Sequence, residues 1–196
     1  MQTLLDYKPN GGGDGEDGTF WMQFSDFSVH FEDIYVCRLF RSVDDGGPWY
    51  KYTVDGSWKG RTAGGCTNTP ESAQWNPQYF LQPTKPCTIV VQLSQKEVAG
   101  ESRDADSIGI KVVKKEGKRV KAVYAGQTLL SASYTSMSQV VAEGSLSPAS
   151  TPFTLFVSTF DPGVERDFLI TVYCDAPLAS TDGSSLRLIP TTVPAV

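Results

Sequence analysis

The chain has little of what catalysis, metal binding and membrane insertion usually require. Its 196 residues include one histidine, His30, and four cysteines, Cys37, Cys66, Cys87 and Cys174. The cysteines form no Cys-x-x-Cys pair and have no histidine set beside them, which argues against zinc. Their spacing lays out no disulfide framework and no secretory pattern opens the chain. Free thiols in a reducing compartment are therefore expected, with Cys66, Cys87 and Cys174 acting as small buried hydrophobes. No apolar run approaches the ~18 residues of a membrane span. Lipidation signals are missing as well: residue 2 is Gln, and the last four residues, Val193 to Val196, include no cysteine. Positive charge is in the minority, with 17 Lys and Arg against 22 Asp and Glu and a formal net charge of -5. That balance argues against nucleic acid as the main partner.

What is present reads as an ordinary globular domain rich in strands. Residues 1–19 are polar and glycine-rich and read as a loop. As an EF-hand this loop fails: with Gly18 at the sixth position, the first, third and twelfth fall on Gly13, Gly15 and Phe24. Phe20, Phe24, Phe27, Phe31 and Ile34 then recur at steps of three and four, which predicts a short helix running to about Asp33 and capped by Ser25 or Asp26. After it the pattern is that of strands: 34–40, 49–54, 88–93 (apolar enough to be buried on both faces), a hairpin of 107–114 with 119–124, then 153–160 and 168–174. Asp44-Asp45-Gly46-Gly47-Pro48, Glu116-Gly117 and Asp161-Pro162-Gly163 supply turns between them. Residues 131–150 are Ser-rich and their strands cannot be assigned from pattern alone. The spacing predicts an all-β antiparallel sandwich with one short N-terminal helix. Residues 180–196 read as a linker or tail with one edge strand at 186–189.

Two segments stand out. Gly56-Ser57-Trp58-Lys59-Gly60-Arg61-Thr62-Ala63-Gly64-Gly65-Cys66 combines a large aromatic with a run of nearly bare backbone, and Trp75-Asn76-Pro77-Gln78-Tyr79 follows. Small residues there allow positive φ or close passage of another strand, while the two tryptophans can fill a core. Asn76-Pro77 marks a turn feeding an extended stretch, 78–82. The second segment is basic: Lys111, Lys114, Lys115, Lys118, Arg119 and Lys121 put six positive charges into eleven residues. On a hairpin, Lys111 and Lys115 would share a face and the turn would present Lys118. Such a cluster suits anionic lipid headgroups or an acidic protein face, or simply guards a sheet edge against aggregation. The acidic pairs Asp44/Asp45 and Asp104/Asp106 read as solvated turns rather than metal sites.

These strings resemble the calpain family of papain-like cysteine proteases. Asp17-Gly18-Thr19-Phe20-Trp21-Met22-Gln23-Phe24 is similar to the Asp-Gly-Glu-Phe-Trp-Met-Ser-Phe pattern near the end of the protease core, and the helix with Asp26, Phe27, His30 and Phe31 continues it. The Gly56–Cys66 and Trp75–Tyr79 segments, Cys87 to Lys96, Ser158 to Pro162, and Asp167 to Tyr173 resemble the C2-like β-sandwich, domain III, that follows the core. The resemblance covers residues 14–177. It implies three parts: 1–35 as loop and helix from the end of the protease core, 36–178 as the sandwich, and 179–196 as a tail. It also implies a noncatalytic regulatory domain that docks on the protease core, with anionic phospholipid or calcium as further ligands, in a cytoplasmic and membrane-peripheral protein.

The family's catalytic Cys, His and Asn lie upstream of this pattern, so the chain is expected to be inert, His30 to be a surface residue, and the intact parent to be a cysteine endopeptidase. In the family the loop before Phe20 helps bind calcium in the core. Here Asp17 keeps one carboxylate while Thr19 stands in place of the Glu, so only a remnant metal site is implied at Asp17, with calcium belonging to the parent and no cofactor to this chain alone. Several calpains carry an acidic loop where this chain has Leu81-Gln82-Pro83-Thr84-Lys85-Pro86, which holds no acid. That departure favours the rival expectation: a free-standing interaction or structural module derived from a calpain, without calcium or lipid response.

Overall fold

A computed structural model describes residues 22–34, 38–97, 104–123, 126–147, 152–179 and 186–189. The chain forms two compact units, Met1–Leu39 and Phe40–Val196.

In the first unit, helix α1 spans Phe24–His30. It begins after Gln23, whose side chain makes no cap, and stops three residues short of the expected end, where Phe31 turns extended. Ser25 and Asp26 fall inside the first turn rather than before it, and Asp26 suits the positive end of the short helix. The three-and-four spacing does produce an aromatic ridge: Phe27 stacks on Phe31 at 4.5 Å and on Phe24 at 6.4 Å between centroids. The strand expected over 34–40 is absent at Ile34 and at 38–40, while 35–37 lie outside the described residues.

The second unit is a sandwich of two antiparallel sheets. Its strands are β1 (Tyr50–Trp58), β2 (Gln78–Leu81), β3 (Cys87–Gln95), β4 (Ser107–Val113), β5 (Thr128–Ser136), β6 (Gln139–Leu146), β7 (Phe153–Thr159), β8 (Arg166–Cys174) and β9 (Leu186–Leu188). One sheet has the order β1-β8-β3-β6, the other β5-β4-β7-β2-β9. The edge strand expected near 186–189 forms as β9 against β2. The unassigned Ser-rich stretch supplies β5 and β6, which belong to opposite sheets: β5 pairs with β4 and β6 with β3. Their Met137-Ser138 connection therefore closes one edge of the sandwich rather than forming a flat hairpin.

Period-two alternation carries the core. Ile89, Val91 and Leu93 of β3, Ile108, Ile110 and Val112 of β4, Phe153, Leu155 and Val157 of β7, and Phe168, Ile170 and Val172 of β8 point inward together. Trp58, fully buried at the end of β1, packs on Phe168 at 4.3 Å and donates its indole N–H to the Val157 carbonyl at 3.3 Å. In β3, Val90 is also buried while Thr88 and Gln92 are half-buried, in keeping with a strand covered on both faces. Strand β7 goes further: all seven of its residues are buried, although their alternation suggests one solvent face. The cover over that second face belongs to the site described next.

Candidate functional site

The expected hairpin partner of β4 does not form. Residues 119–123 are not in a strand, and β4 pairs instead with β5, whose first residue is Thr128. The segment between is a loop closed at its neck by the Lys114 N–H donating to the Gln127 carbonyl at 2.9 Å. Inside it Glu116 (φ 52°) and Gly117 (φ 64°) are both left-handed. Gly117 has no room for a side chain: a Cβ there would come within 2.6 Å of the Phe80 ring and 2.8 Å of Pro152. The loop thus turns back onto the outer face of the β2–β7 pair and covers the Thr154 end of β7, while Tyr134 of β5 covers Ser158 toward its other end.

Three sets of bonds hold it there. The fully buried Gln78 side chain completes both hydrogen bonds of the Val120 backbone, donating from Nε2 to the carbonyl at 2.8 Å and accepting the N–H at 2.7 Å. A side-chain amide here does what a neighbouring strand would otherwise do, which explains why a stretch with strand-like alternation needs no strand partner. Thr154 donates its hydroxyl to the Lys118 carbonyl at 2.8 Å. The Arg119 guanidinium donates twice to the Asn76 carbonyl, at 2.9 and 3.1 Å, while its buried Nε has no hydrogen-bond partner. Burial pulls the Arg119 pKa below its usual value, as it does that of Lys111.

The glycine-rich segment is the seat for this loop. Asn76, fully buried, accepts the Gly64 N–H at 3.0 Å and donates to the Gly65 carbonyl at 2.7 Å, so one residue binds the glycine run with its side chain and Arg119 with its backbone. Gly64 and Gly65 meet the need for bare backbone in both of its forms. A Cβ on Gly64 would be 2.1 Å from the Ser72 carbonyl oxygen, and Gly65 has φ 74° with the Pro162 nitrogen 2.6 Å from where its Cβ would be. Of the two tryptophans, Trp58 fills the core, while Trp75 is half-buried and carries the Arg61 guanidinium 3.5 Å from its ring centroid.

The six basic residues therefore do not act as one cluster. Lys111, half-buried, donates to Thr67 Oγ1 at 2.8 Å and does not share a face with Lys115, which lies beyond the end of β4 and is exposed. Arg119 ties the loop to its seat, while Lys111 ties β4 to Thr67 beside that seat. Lys114, Lys115 and Lys118 are exposed and, with Glu116 and Gln127, line a concavity of about 270 Å³. Lys118 pairs with Glu116 at 2.6 Å, and that bond and charge hold the Glu116 carboxyl below its usual pKa. Lys121 is exposed but outside this concavity. A second hollow of about 320 Å³ is lined by Trp75, Tyr79, Asp55 and Arg119, among others.

Other expected residues fall differently. Asp17 and Thr19 lie outside the described residues, so the remnant calcium site has no geometry to report. His30 is exposed on α1. Asp44 and Asp45 form a short turn whose Asp45 N–H donates to Ser42 Oγ, as a solvated turn should. Asp106 does not match the solvated-turn reading: it pairs with Arg166 at 2.7 Å, with side-chain exposures of 15% and 7%, which makes the pair a nearly buried clamp between the start of β4 and β8. Cys66, Cys87 and Cys174 are free and buried, as expected of small hydrophobes.

The architecture is that of an antiparallel sandwich with a basic loop seated on a glycine-rich turn. Residues 54–173 match the family described as calpain large subunit, domain III. The chain belongs to that family, and the domain is a noncatalytic part of calpain-type cysteine proteases. It is 30% identical over 181 residues to the calpain-type cysteine protease ADL1 of Oryza sativa subsp. japonica, covering 83% of this chain and 8% of that protein. It is likewise 30% identical over 181 residues to the calpain-type cysteine protease DEK1 of Zea mays, with the same coverage. Over 187 residues it is 30% identical to the calpain-2 catalytic subunit of Mus musculus, covering 82% of this chain and 26% of that protein. The chain thus spans from under a tenth to about a quarter of the length of these relatives.

Proposed function

We propose that this chain is the docking domain of a calpain-type cysteine endopeptidase and that its basic loop seats on an acidic face of the protease core. The observation that carries the reading is the pairing of exposed and buried roles within one loop. Lys114, Lys115 and Lys118 present their ammonium groups around a concavity, while Gln78, Asn76 and Thr154 fix the backbone beneath them. Holding charges in place lowers the ordering cost of forming an interface, and a local positive patch on a protein of net charge -5 steers an acidic partner to one face. The domain itself supplies no chemistry, and catalysis belongs to the core. Calcium, where it acts, belongs to the parent protein.

The test is binding of the chain to a separately produced calpain protease core, compared with K114E/K115E/K118E. Salt-sensitive binding that the triple variant loses supports the reading; equal binding by both proteins refutes it. Vesicles of phosphatidylserine provide a parallel arm. Salt-sensitive vesicle binding lost in the same variant assigns the loop to an anionic membrane surface and a cytoplasmic, membrane-peripheral location. Binding to neither surface, with or without calcium, supports the second reading, a structural or interaction module without calcium or lipid response. The acid-free Leu81–Pro86 segment favours that second reading: Thr84, Lys85 and Pro86 are exposed there with no carboxylate among them.

A further inference from the structure

Cys87 and Cys174 lie 87 residues apart in sequence, so no ligand pattern links them. The fold does: β3 and β8 are neighbours, with Ile89 opposite Cys174, which puts Cys87 two residues along on the same inward face. The chain bends after Cys174, and Asp175 returns to the start of β3, where its carboxylate accepts the Thr88 N–H at 2.9 Å and its own N–H donates to the Thr88 carbonyl at 3.2 Å. The two sulfurs and one Asp175 carboxylate oxygen all lie within 4.8 Å of one another.

We propose that Cys87, Cys174 and Asp175 form a binding site for a thiophilic divalent cation of the zinc type. Zinc bonds of about 2.3 Å to sulfur and about 2.0–2.2 Å to oxygen put tetrahedral ligand atoms about 3.5–3.8 Å apart. Closing from 4.8 Å or less to that spacing takes only side-chain rotation at two strand positions and one bend. The ligand set suits such an ion: two sulfurs select zinc over calcium or magnesium, and the carboxylate adds a third charge. The Thr88 N–H holds one carboxylate oxygen and so aims the other, the role that an outer hydrogen bond plays in metal sites. The sulfurs are buried at 6% and 0% exposure while Asp175 is exposed, which gives a dry thiol pair with an opening for the ion and for a water as fourth ligand. Binding breaks two S–H bonds and releases both protons to solvent; no oxidation state changes.

The experiment is Co²⁺ and Zn²⁺ titration of the reduced 196-residue chain. One equivalent of Co²⁺ should give a thiolate-to-metal charge-transfer band, and Zn²⁺ should abolish that band and raise the melting temperature. C87S should lose the band, and D175N should weaken binding by more than about tenfold, since even outer-shell changes cost that much. C37S and C66S should retain it. D175N alters an exposed residue, so it keeps the test valid if C87S or C174S fails to fold. Absence of the band in the folded wild type, a band unchanged in C87S, or a Co²⁺ affinity unchanged in D175N would overturn the proposal.

Discussion

Replacing Gln78 by Ala tests whether the basic loop is held by buried bonds or merely rests on the sheet. The substitution removes the two hydrogen bonds to Val120 at 2.7 and 2.8 Å, with a longer one to the Gln74 carbonyl at 3.4 Å, and leaves the Val120 N–H and carbonyl without partners in a site where Val120 is 1% exposed. Each orphaned buried group costs about 1–3 kcal/mol, so the loop in place would be destabilised by about 2–6 kcal/mol. The loop has an escape, which is to lift and hydrate its backbone. That route gives up the burial of Val120, about 1.5–3 kcal/mol, and the charged Arg119 bonds to the Asn76 carbonyl, about 1.5–3 kcal/mol. The cheaper route governs, and both lie in the same range, so a loss of about 3 kcal/mol is expected.

Trypsin reads this directly, because Lys118, Arg119 and Lys121 flank Val120. Where opening is fast relative to cleavage, the rate follows the open population, and at 1.4 kcal/mol per tenfold Q78A should be cut at this loop roughly a hundred times faster than wild type. Urea unfolding followed by tryptophan fluorescence should show a lowered midpoint by either route, and its slope separates the two: an unchanged slope means that the loop stays and strains the sandwich, a reduced one that it has already lifted. Cleavage within about twofold of wild type together with a stability change below about 0.5 kcal/mol, the level of an inconsequential surface change, would refute the claim that Gln78 holds the loop.

Four further outcomes are expected. G117A should destabilise by more than the about 1 kcal/mol usual for a left-handed glycine, because the Phe80 ring stands within 2.6 Å of the new Cβ; urea titration checks it. D106A, by leaving Arg166 nearly buried without its partner, should cost about 3–5 kcal/mol, while the double variant D106A/R166M should recover much of that loss. W58A should cost about 3–5 kcal/mol and, if it folds at all, unfold at visibly lower denaturant than W75A, whose ring is only half-buried. The chain should not hydrolyse casein or a peptide substrate with or without calcium; activity abolished by a thiol alkylator would contradict the noncatalytic assignment.

The sheets were legible where alternation and burial agree. Strands β3, β4, β7 and β8 each place β-branched or aromatic residues at alternate inward positions, and their spacing with turn residues is enough to give a sandwich. The glycine-rich segment was legible in kind, since bare backbone beside tryptophan announces close packing, but its partners were not. Asn76 acts through a side chain on the glycines and a carbonyl on Arg119, and no local pattern encodes that. The mistaken hairpin has the same cause. Arg119 to Tyr124 alternates like a strand because Val120 is buried, but what buries it is Gln78, 42 positions earlier. Two of the six basic residues lie differently for a related reason: charge counts as surface in a sequence, yet Lys111 and Arg119 direct theirs into part-buried hydrogen bonds. Strand β5 escaped notice because Ser131, Ser133 and Tyr134 carry few of the apolar residues that mark a strand, and Tyr134 lies across Gly109 and hydrogen-bonds Ser158 at 2.7 Å rather than joining the core.

The seat of the basic loop has a consequence for how a docking event would be felt elsewhere. From Arg119 the bonds run through Asn76 to Gly64 and Gly65, and from that run to the turn between β7 and β8: the Gly163 N–H donates to the Ala63 carbonyl at 2.7 Å and the Cys66 N–H to the Phe160 carbonyl at 2.9 Å. Gly64 and Gly65 lie too close to Ser72 and Pro162 to admit even a Cβ, so the packing there leaves little room to absorb a shift. A partner that stills the lysines would therefore quieten a turn it never touches, and slower amide exchange at Gly163 would be the signal by which the protein reports that its basic face is occupied.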